Sequence, residues 1–197
     1  MLHRNSRVFD RDLLNAVAPR LVEFDKNVRP GTLINVGSTI EKFAGPKTQA
    51  TRGEKPSTAI KRIRADIEEF RKANGCSHVI VVNLSSTEPP FASEAGSWDW
   101  AKLSKTLAES DTSPVPASTI YAVAAFEAVC SYVNFTPSAG TNLPALEEFA
   151  LKQGALHIGR DGKTGETLLK AVLAPMFAAR NLKVMSWVGH NIFGNMD

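Results

Sequence analysis

The sequence predicts an α/β protein built on mostly parallel strands. Val79-Ile80-Val81-Val82 is a continuous β-branched run without polar alternation, the pattern of a strand covered on both faces in a parallel sheet. Apolar residues recur at helical spacing on either side of it, in Ile60, Ile63, Ile67 and Phe70 before and in Ile120, Val123, Ala124 and Ala128 after. Segments of strand and helix character then alternate to the end of the chain, which favours crossovers and parallel pairing.

In order, Leu13, Leu14, Val17, Leu21 and Val22 form a helical face after Asp10 and Asp12, acids suited to a first turn. Between Phe24 and Pro56 the Gly, Pro, Asn and Thr content predicts an irregular excursion with at most one strand, at Leu33-Ile34-Asn35-Val36. A helix capped by Ser57 or Thr58 follows and ends at Gly75. Beyond the best strand, Trp98 to Leu107 predicts a short helix, Asp111 to Pro116 punctuation, and Pro116 to Cys130 a helix. Tyr132-Val133-Asn134 predicts a brief strand, Leu143 to Gln153 a helix closed by Gly154, and Leu156-His157-Ile158 a third strand. Leu168, Leu169, Val172, Leu173, Met176 and Phe177 mark a last helix, kinked at Pro175, before a strand from Val184 to Val188. There is no internal repeat.

The 197 residues, 43% hydrophobic, suffice for one sizeable core and the start of a second. Twenty-three basic and 20 acidic residues are interleaved, so the net charge of +3 draws no basic stripe; nucleic acid is not an expected partner and a small anion is. Cys76 and Cys130 lack any CxxC spacing and fit packing roles in a reducing compartment. No apolar run approaches the roughly 20 residues of a membrane span, and Met1-Leu2-His3-Arg4 lacks the apolar core of a signal peptide. The expectation is a cytoplasmic protein with no membrane partner.

Chemistry concentrates in polar turns that follow strands: Ser85-Ser86-Thr87, Asn134 to Ser138, Asp161 to Thr167, and Asn195 with Asp197. Ligands of open α/β sheets sit beyond the carboxyl ends of the strands. Hydroxyls, amides and backbone N–H groups gathered there can hold a ribose, a pyrophosphate or a carboxamide, although small polar residues after strands also serve as plain turns and caps. The glycine-hinged Gly159 to Thr167 opens a helix, and a second such turn stands at Gly194-Asn195-Met196-Asp197, where the chain stops abruptly in the manner of a fragment. His3, His78, His157 and His190 have no metal-ligand spacing, so no metal is expected. GxSxG, GxxxxGKS/T and GxGxxG are all missing.

Four segments in order, Thr51-Arg52-Gly53, Ile60 to Ile67, Val82-Asn83-Leu84-Ser85-Ser86-Thr87-Glu88, and Asp161-Gly162-Lys163-Thr164-Gly165-Glu166-Thr167 running to Gly194-Asn195-Met196-Asp197, resemble the myo-inositol-phosphate synthase family, in its prokaryotic form. The resemblance implies a partial Rossmann-like NAD-binding domain over 1–152 and the start of an α+β catalytic and oligomerisation domain over 153–197. It implies NAD as cofactor, glucose 6-phosphate as substrate, and inositol 1-phosphate (3-phosphate in the other numbering) as product of oxidation, enolisation, aldol closure and reduction. The family's cofactor contacts fall on Leu84, Ser85, Ser86, Thr87, Asn134, Asp161, Thr164, Asn195 and Asp197. Phe135 stands where the family's NGSP turn has glycine, in Asn134-Phe135-Thr136-Pro137. The family's pyrophosphate-cradling glycine turn falls before Met1 and its catalytic lysines beyond Asp197, so no catalytic residue is assigned within the chain. The expected protein is an internal piece, inactive alone and homo-oligomeric when complete. Two other readings stand beside it: a non-catalytic NAD-binding or scaffold remnant of the same fold, and a plain NAD-dependent dehydrogenase.

Overall fold

The computed structural model describes residues 10–91, 93–162 and 166–188. The chain divides into two compact units, Asn27–Asp161 and a second formed by Met1–Lys26 with Gly162–Asp197. In the second unit, α1 (Arg11–Asp25) begins where the Asp10 carboxylate accepts the Asp12 amide at 2.8 Å, as the acidic start of the segment predicts. The described part of the other end of this unit includes the helix Glu166–Ala179, which contains Pro175. Val184 to Val188, expected as a strand, makes no ladder among the described residues; Val184, Met185 and Val188 are exposed there, and a strand without a partner has nothing to stabilise it.

The larger unit opens on the excursion, which contains two short helices, α2 (Ser38–Phe43) and α3 (Pro46–Gln49). The strand expected at 33–36 is absent because Asn35 turns into the left-handed region, φ 50°, and its side-chain amide donates to the carbonyls of Ser113 and Val115 at 2.9 and 3.0 Å. A strut fixes the excursion to α4 (Pro56–Ala73): the Arg62 guanidinium donates to the Pro30 and Gly31 carbonyls at 2.8 and 3.2 Å and grips both oxygens of Glu54. α4 begins one residue earlier than the expected caps, with Pro56 in its first turn and no side-chain cap, because proline is already set for a first helical turn and has no N–H to satisfy.

β1 (Ile80–Asn83), β2 (Ser131–Asn134) and β3 (His157–Ile158) form a parallel sheet in that order, with Val82 opposite Val133 and Val133 opposite Ile158. The connections are helical. A 3-10 turn at Ser93–Ser97, α5 (Trp100–Glu109) and α6 (Ala117–Glu127) link β1 to β2, and α7 (Pro144–Gln153) links β2 to β3. Asp99 caps α5 through the Lys102 amide at 2.8 Å, and Gly154 closes α7 in the left-handed conformation expected of it. α6 is the hub of the core, packed on α4, α7, β1 and β2. Its Ala122, Ala124 and Ala125 are fully buried, and such small side chains let neighbouring backbones approach from several sides. Phe149 of α7 stacks on Trp100 at 3.8 Å between centroids, so this indole packs into the helical layer.

The sheet is covered on one face. Tyr132 and Asn134 point into the helical layer and are buried, whereas Ile80 (58% exposed), Val82 (48%) and Ile158 (70%) share the opposite, open face. The expectation that Val79–Val82 is covered on both sides is therefore corrected. The run is apolar on two faces, but the described helices of this unit pack on one.

Candidate functional site

Because the three strands are parallel, their carboxyl ends deliver three turns to one rim of the sheet: Leu84 onward after β1, Phe135 onward after β2, and Gly159 to Asp161 after β3. Backbone groups leaving a ladder must find new partners, and here an interior polar network supplies them.

Asn134 is its centre. The side chain is 1% exposed; Oδ1 accepts from Asn83 Nδ2 (3.1 Å), the Thr136 amide (3.3 Å) and Thr136 Oγ1 (2.9 Å), while Nδ2 donates to the Ser138 carbonyl at 2.7 Å. Asn83 Oδ1 in turn accepts from the Ser85 amide and hydroxyl at 3.2 and 2.7 Å, an Asx turn that sets the direction in which the chain leaves β1. Two glycines lie hard against Asn134. At Gly159, φ 100°, a Cβ would stand 2.3 Å from the Asn134 carbonyl oxygen, and at Gly140, φ 51°, one would stand 2.7 Å from Asn134 Nδ2.

The second knot joins the turn after β1 to a helix. α6 starts after Pro116, which has no side-chain donor or acceptor, so its buried first N–H groups need an acceptor from elsewhere. Glu88 provides it: one carboxylate oxygen accepts the Ser118 amide at 2.7 Å and the other accepts the Ser118 hydroxyl. The Glu88 amide donates to Ser138 Oγ at 3.1 Å, the Gly140 amide donates to Ser118 Oγ at 3.0 Å, and Tyr132 Oη donates to the Ser118 carbonyl at 3.0 Å. Burial raises the Glu88 carboxyl above its ordinary value, an effect the bonds from Ser118 oppose. Burial likewise raises the Tyr132 phenol, with the nearby Glu88 charge adding to it, so Tyr132 serves as a neutral donor.

Outside this knot lie the groups open to a ligand. Leu84 (71% exposed), Ser85 and Thr87 are at the surface, and Ser86 is half-buried and already has an interaction partner. Phe135 is about half exposed at the same rim, and Asp161 is exposed beyond β3. Of the residues singled out by sequence, Leu84 to Thr87, Asn134 and Asp161 thus belong to turns at one edge, with Asn134 inside and the others outward. Thr164, Asn195 and Asp197 lie outside the described residues. The sequence reading overlooked Ser118 and Gly140, gave Asn83 and Glu88 no role of their own, and singled out Gly159 as a hinge without foreseeing its contact with Asn134; the absence of a capping side chain at Pro116 was the signal that α6 needed a remote acceptor.

This rim suits part of a dinucleotide. Its hydroxyls, peptide groups and aliphatic Leu84 suit a ribose, a base or a carboxamide, whereas the amino terminus of α6, a natural phosphate seat, is filled by Glu88. A separate open cleft of about 650 Å³ lies between the excursion and Pro89–Phe91; its carboxylates are engaged, Glu41 with Arg52, Glu54 with Arg62 and Asp111 with Lys55. Among the described residues no group of three metal-ligating side chains converges, and no helix is long and apolar enough to cross a membrane.

Comparison with known proteins agrees with this architecture. An NAD-binding family model described as myo-inositol-1-phosphate synthase matches residues 1–182. The chain is 34% identical over 187 residues to inositol-3-phosphate synthase 1 of Bacteroides thetaiotaomicron, covering 95% of this chain and 41% of that protein. It is 33% identical over 147 residues to inositol-3-phosphate synthase of Saccharomyces cerevisiae, covering 75% of this chain and 27% of that one. The chain therefore spans about two fifths or less of these curated relatives. The crystal structure of inositol-3-phosphate synthase from Caenorhabditis elegans superimposes with a TM-score of 0.72 at 22% identity, over 91% of this chain and 34% of that chain, and shares its fold. With a match that runs over nearly its whole length, the chain belongs to the myo-inositol-1-phosphate synthase family, and to that family's Rossmann-like NAD-binding region.

Proposed function

We propose that this chain supplies one wall of the nucleotide site in an enzyme that converts glucose 6-phosphate to inositol 1-phosphate, alternatively numbered 3-phosphate, without net redox change. The observation that carries the reading is the convergence of the Leu84–Thr87 turn with the turns after β2 and β3 on one rim, over an interior network that leaves their outer faces available. NAD, when bound, supplies a hydride acceptor and later a hydride donor. The chain's own task is to bind and orient. Leu84 covers an apolar face of the cofactor, while Ser85 and Thr87 offer hydroxyls to a ribose or carboxamide. Asn134 and Glu88 hold the turns at fixed spacing, since a site that loosens by about 1 Å can lose some 100-fold in rate. Asp161, Thr164, Asn195 and Asp197 are assigned further cofactor contacts by the family resemblance. The catalytic lysines, which would stabilise enolate and alkoxide charge, are assigned to sequence beyond this chain.

The division of labour follows: residues 1–152 form the partial cofactor domain and 153–197 open the catalytic and oligomerisation domain of a cytoplasmic homo-oligomer. The open sheet face of Ile80, Val82 and Ile158 supports further elements or subunits covering it. The test compares this chain with a version extended to the length of its relatives. Incubated with glucose 6-phosphate and NAD, the extended protein is expected to form inositol phosphate with no accumulation of NADH, and the present chain to form none. Accumulating NADH would instead identify a dehydrogenase. An extended protein that binds NAD and makes neither product would identify the non-catalytic remnant.

A further inference from the structure

We infer that Glu88 is a positioning residue for cofactor binding: by filling the amino terminus of α6 from within, its carboxylate locks the Leu84–Thr87 turn in the shape that receives the nucleotide. The inference rests on the proposed nucleotide site at this rim.

Three features of the geometry support it. First, the bond is not local. Glu88 and Ser118 are 30 positions apart, and both carboxylate oxygens are used, one on the Ser118 amide and one on its hydroxyl. A two-point attachment fixes orientation as well as distance. Second, Ser118 relays the lock to the other turns. Its hydroxyl accepts from the Gly140 amide, its carbonyl accepts from Tyr132 Oη, and the Glu88 amide donates to Ser138 Oγ. Glu88 thereby ties the turn after β1 to the turn after β2 at both its backbone and its side chain. Third, the other end of the exposed turn is also pinned, by the Asn83 Oδ1 bonds to the Ser85 amide and hydroxyl. Ser86 and Thr87 lie between two anchors, so their positions follow from where Glu88 sits. The carboxylate also places a negative charge where a helix would otherwise attract a phosphate, which directs an anionic ligand away from α6.

The consequence separates chemistry from stability. Glu88→Gln keeps an oxygen for the Ser118 amide and adds an N–H that the Ser118 hydroxyl can accept, so the lock persists. Glu88→Ala removes both bonds. Leu103→Ala, in the fully buried core of α5, weakens the fold without touching the rim. NAD binding to the 197-residue chain and these three variants is measured by ligand-observed NMR titration at up to about 10 mM, with hydrogen exchange of residues 84–88 read in parallel. The expected result is a Kd raised about tenfold or more in Glu88→Ala and held within about threefold in Glu88→Gln and Leu103→Ala. Unchanged binding in Glu88→Ala, an equal loss in Glu88→Gln, or an equal loss in Leu103→Ala would each overturn the assignment. If the unsubstituted chain binds no NAD, the nucleotide site itself fails in this chain and the lock is judged on exchange. Faster exchange of residues 84–88 in Glu88→Ala than in Leu103→Ala then upholds the locking role, and equal exchange removes it.

Discussion

Replacing Asn134 by alanine tests the interior network at its centre. The substitution removes the acceptor of three hydrogen bonds and the donor of one, at a position 1% exposed. Asn83 Nδ2 keeps a partner in Thr136 Oγ1 at 3.1 Å, and the Thr136 hydroxyl can rotate, so neither loss is complete. The Thr136 amide and the Ser138 carbonyl retain no side-chain partner from Asn134. Two such buried groups at about 1–2 kcal/mol each, plus a small cavity, give a cost of roughly 3 kcal/mol. For a unit of this size that corresponds to a fall in Tm of roughly 10 °C. Urea unfolding followed by tryptophan fluorescence reads it, since Trp98 and Trp100 both lie in the unit that holds the sheet; Trp187, in the other unit, is replaced by phenylalanine in the background to keep the signal specific. Thr87→Ala, at an exposed position of the neighbouring turn after β1, serves as a control expected within about 0.5 kcal/mol of the parent. A cost under about 1 kcal/mol for Asn134→Ala would show that water or rearranged turns replace the side chain easily, and the two-layer description of the rim would be wrong.

Other outcomes follow from single contacts. Gly159→Ala should cost more than about 2 kcal/mol or prevent folding, because its Cβ meets the Asn134 carbonyl oxygen, while Gly154→Ala, also at positive φ but with open space around it, should cost about 1 kcal/mol in the same denaturation assay. Val129 is a β-branched residue at φ 52° and is 52% exposed at the end of α6, so Val129→Gly should raise stability by about 1 kcal/mol; a loss would mean its side chain packs usefully. Val82→Thr on the open face should change stability by less than about 0.5 kcal/mol, against 2–5 kcal/mol, roughly, for Leu103→Ala in the core; a large loss at Val82 would show that this face is covered in solution. Since Glu88 binds its proton more tightly folded than unfolded, its stabilising contribution is full below the ordinary carboxyl value of 4.5 and is lost as pH rises through the raised value. Glu88→Gln should therefore gain on the parent as pH climbs through that window, and a constant difference between the two would refute the burial of the charge.

Local patterns that speak for themselves were legible in the sequence. The helix containing Ile60 and Ile63, the glycine closing α7 and the two short strands after β1 all follow from periodicity or turn chemistry, and each is found. Failures occur where a residue's fate depends on something distant. Leu33–Val36 has the composition of a strand but lies against 113–115, where Asn35 can satisfy two carbonyls only by turning. Val184–Val188 has strand composition and pairs with no strand among the described residues. Ile80 and Val82 read as doubly buried because β-branched composition reports what a side chain tolerates, not which helices arrive to cover it. At the rim, the polar turns after β1 and β2 follow strand ends as the sequence reading expects, and what holds them was missed. A serine in the first turn of a helix and a glutamate 30 positions earlier carry no mutual signal until the parallel sheet sets their turns side by side.

That difference also says where function can vary in this fold. Parallel strands that end together force polar backbone into a small space, and the protein answers with hydrogen-bonded side chains beneath the rim: Asn83, Asn134, Thr136, Ser118 and Glu88. Changes there propagate through several turns at once, because Asn134 and Ser118 each contact partners from more than one turn. Among the described residues, the outer side chains of Leu84, Ser85 and Thr87 have no such obligation beyond the Asx turn at Ser85. Substitution in the outer layer should therefore alter affinity for a nucleotide at constant stability, while substitution in the inner layer alters both together. A plot of binding loss against stability loss across the two sets separates them: outer variants fall along the binding axis alone, and a single common line through both sets would mean that the rim has no layer reserved for a ligand.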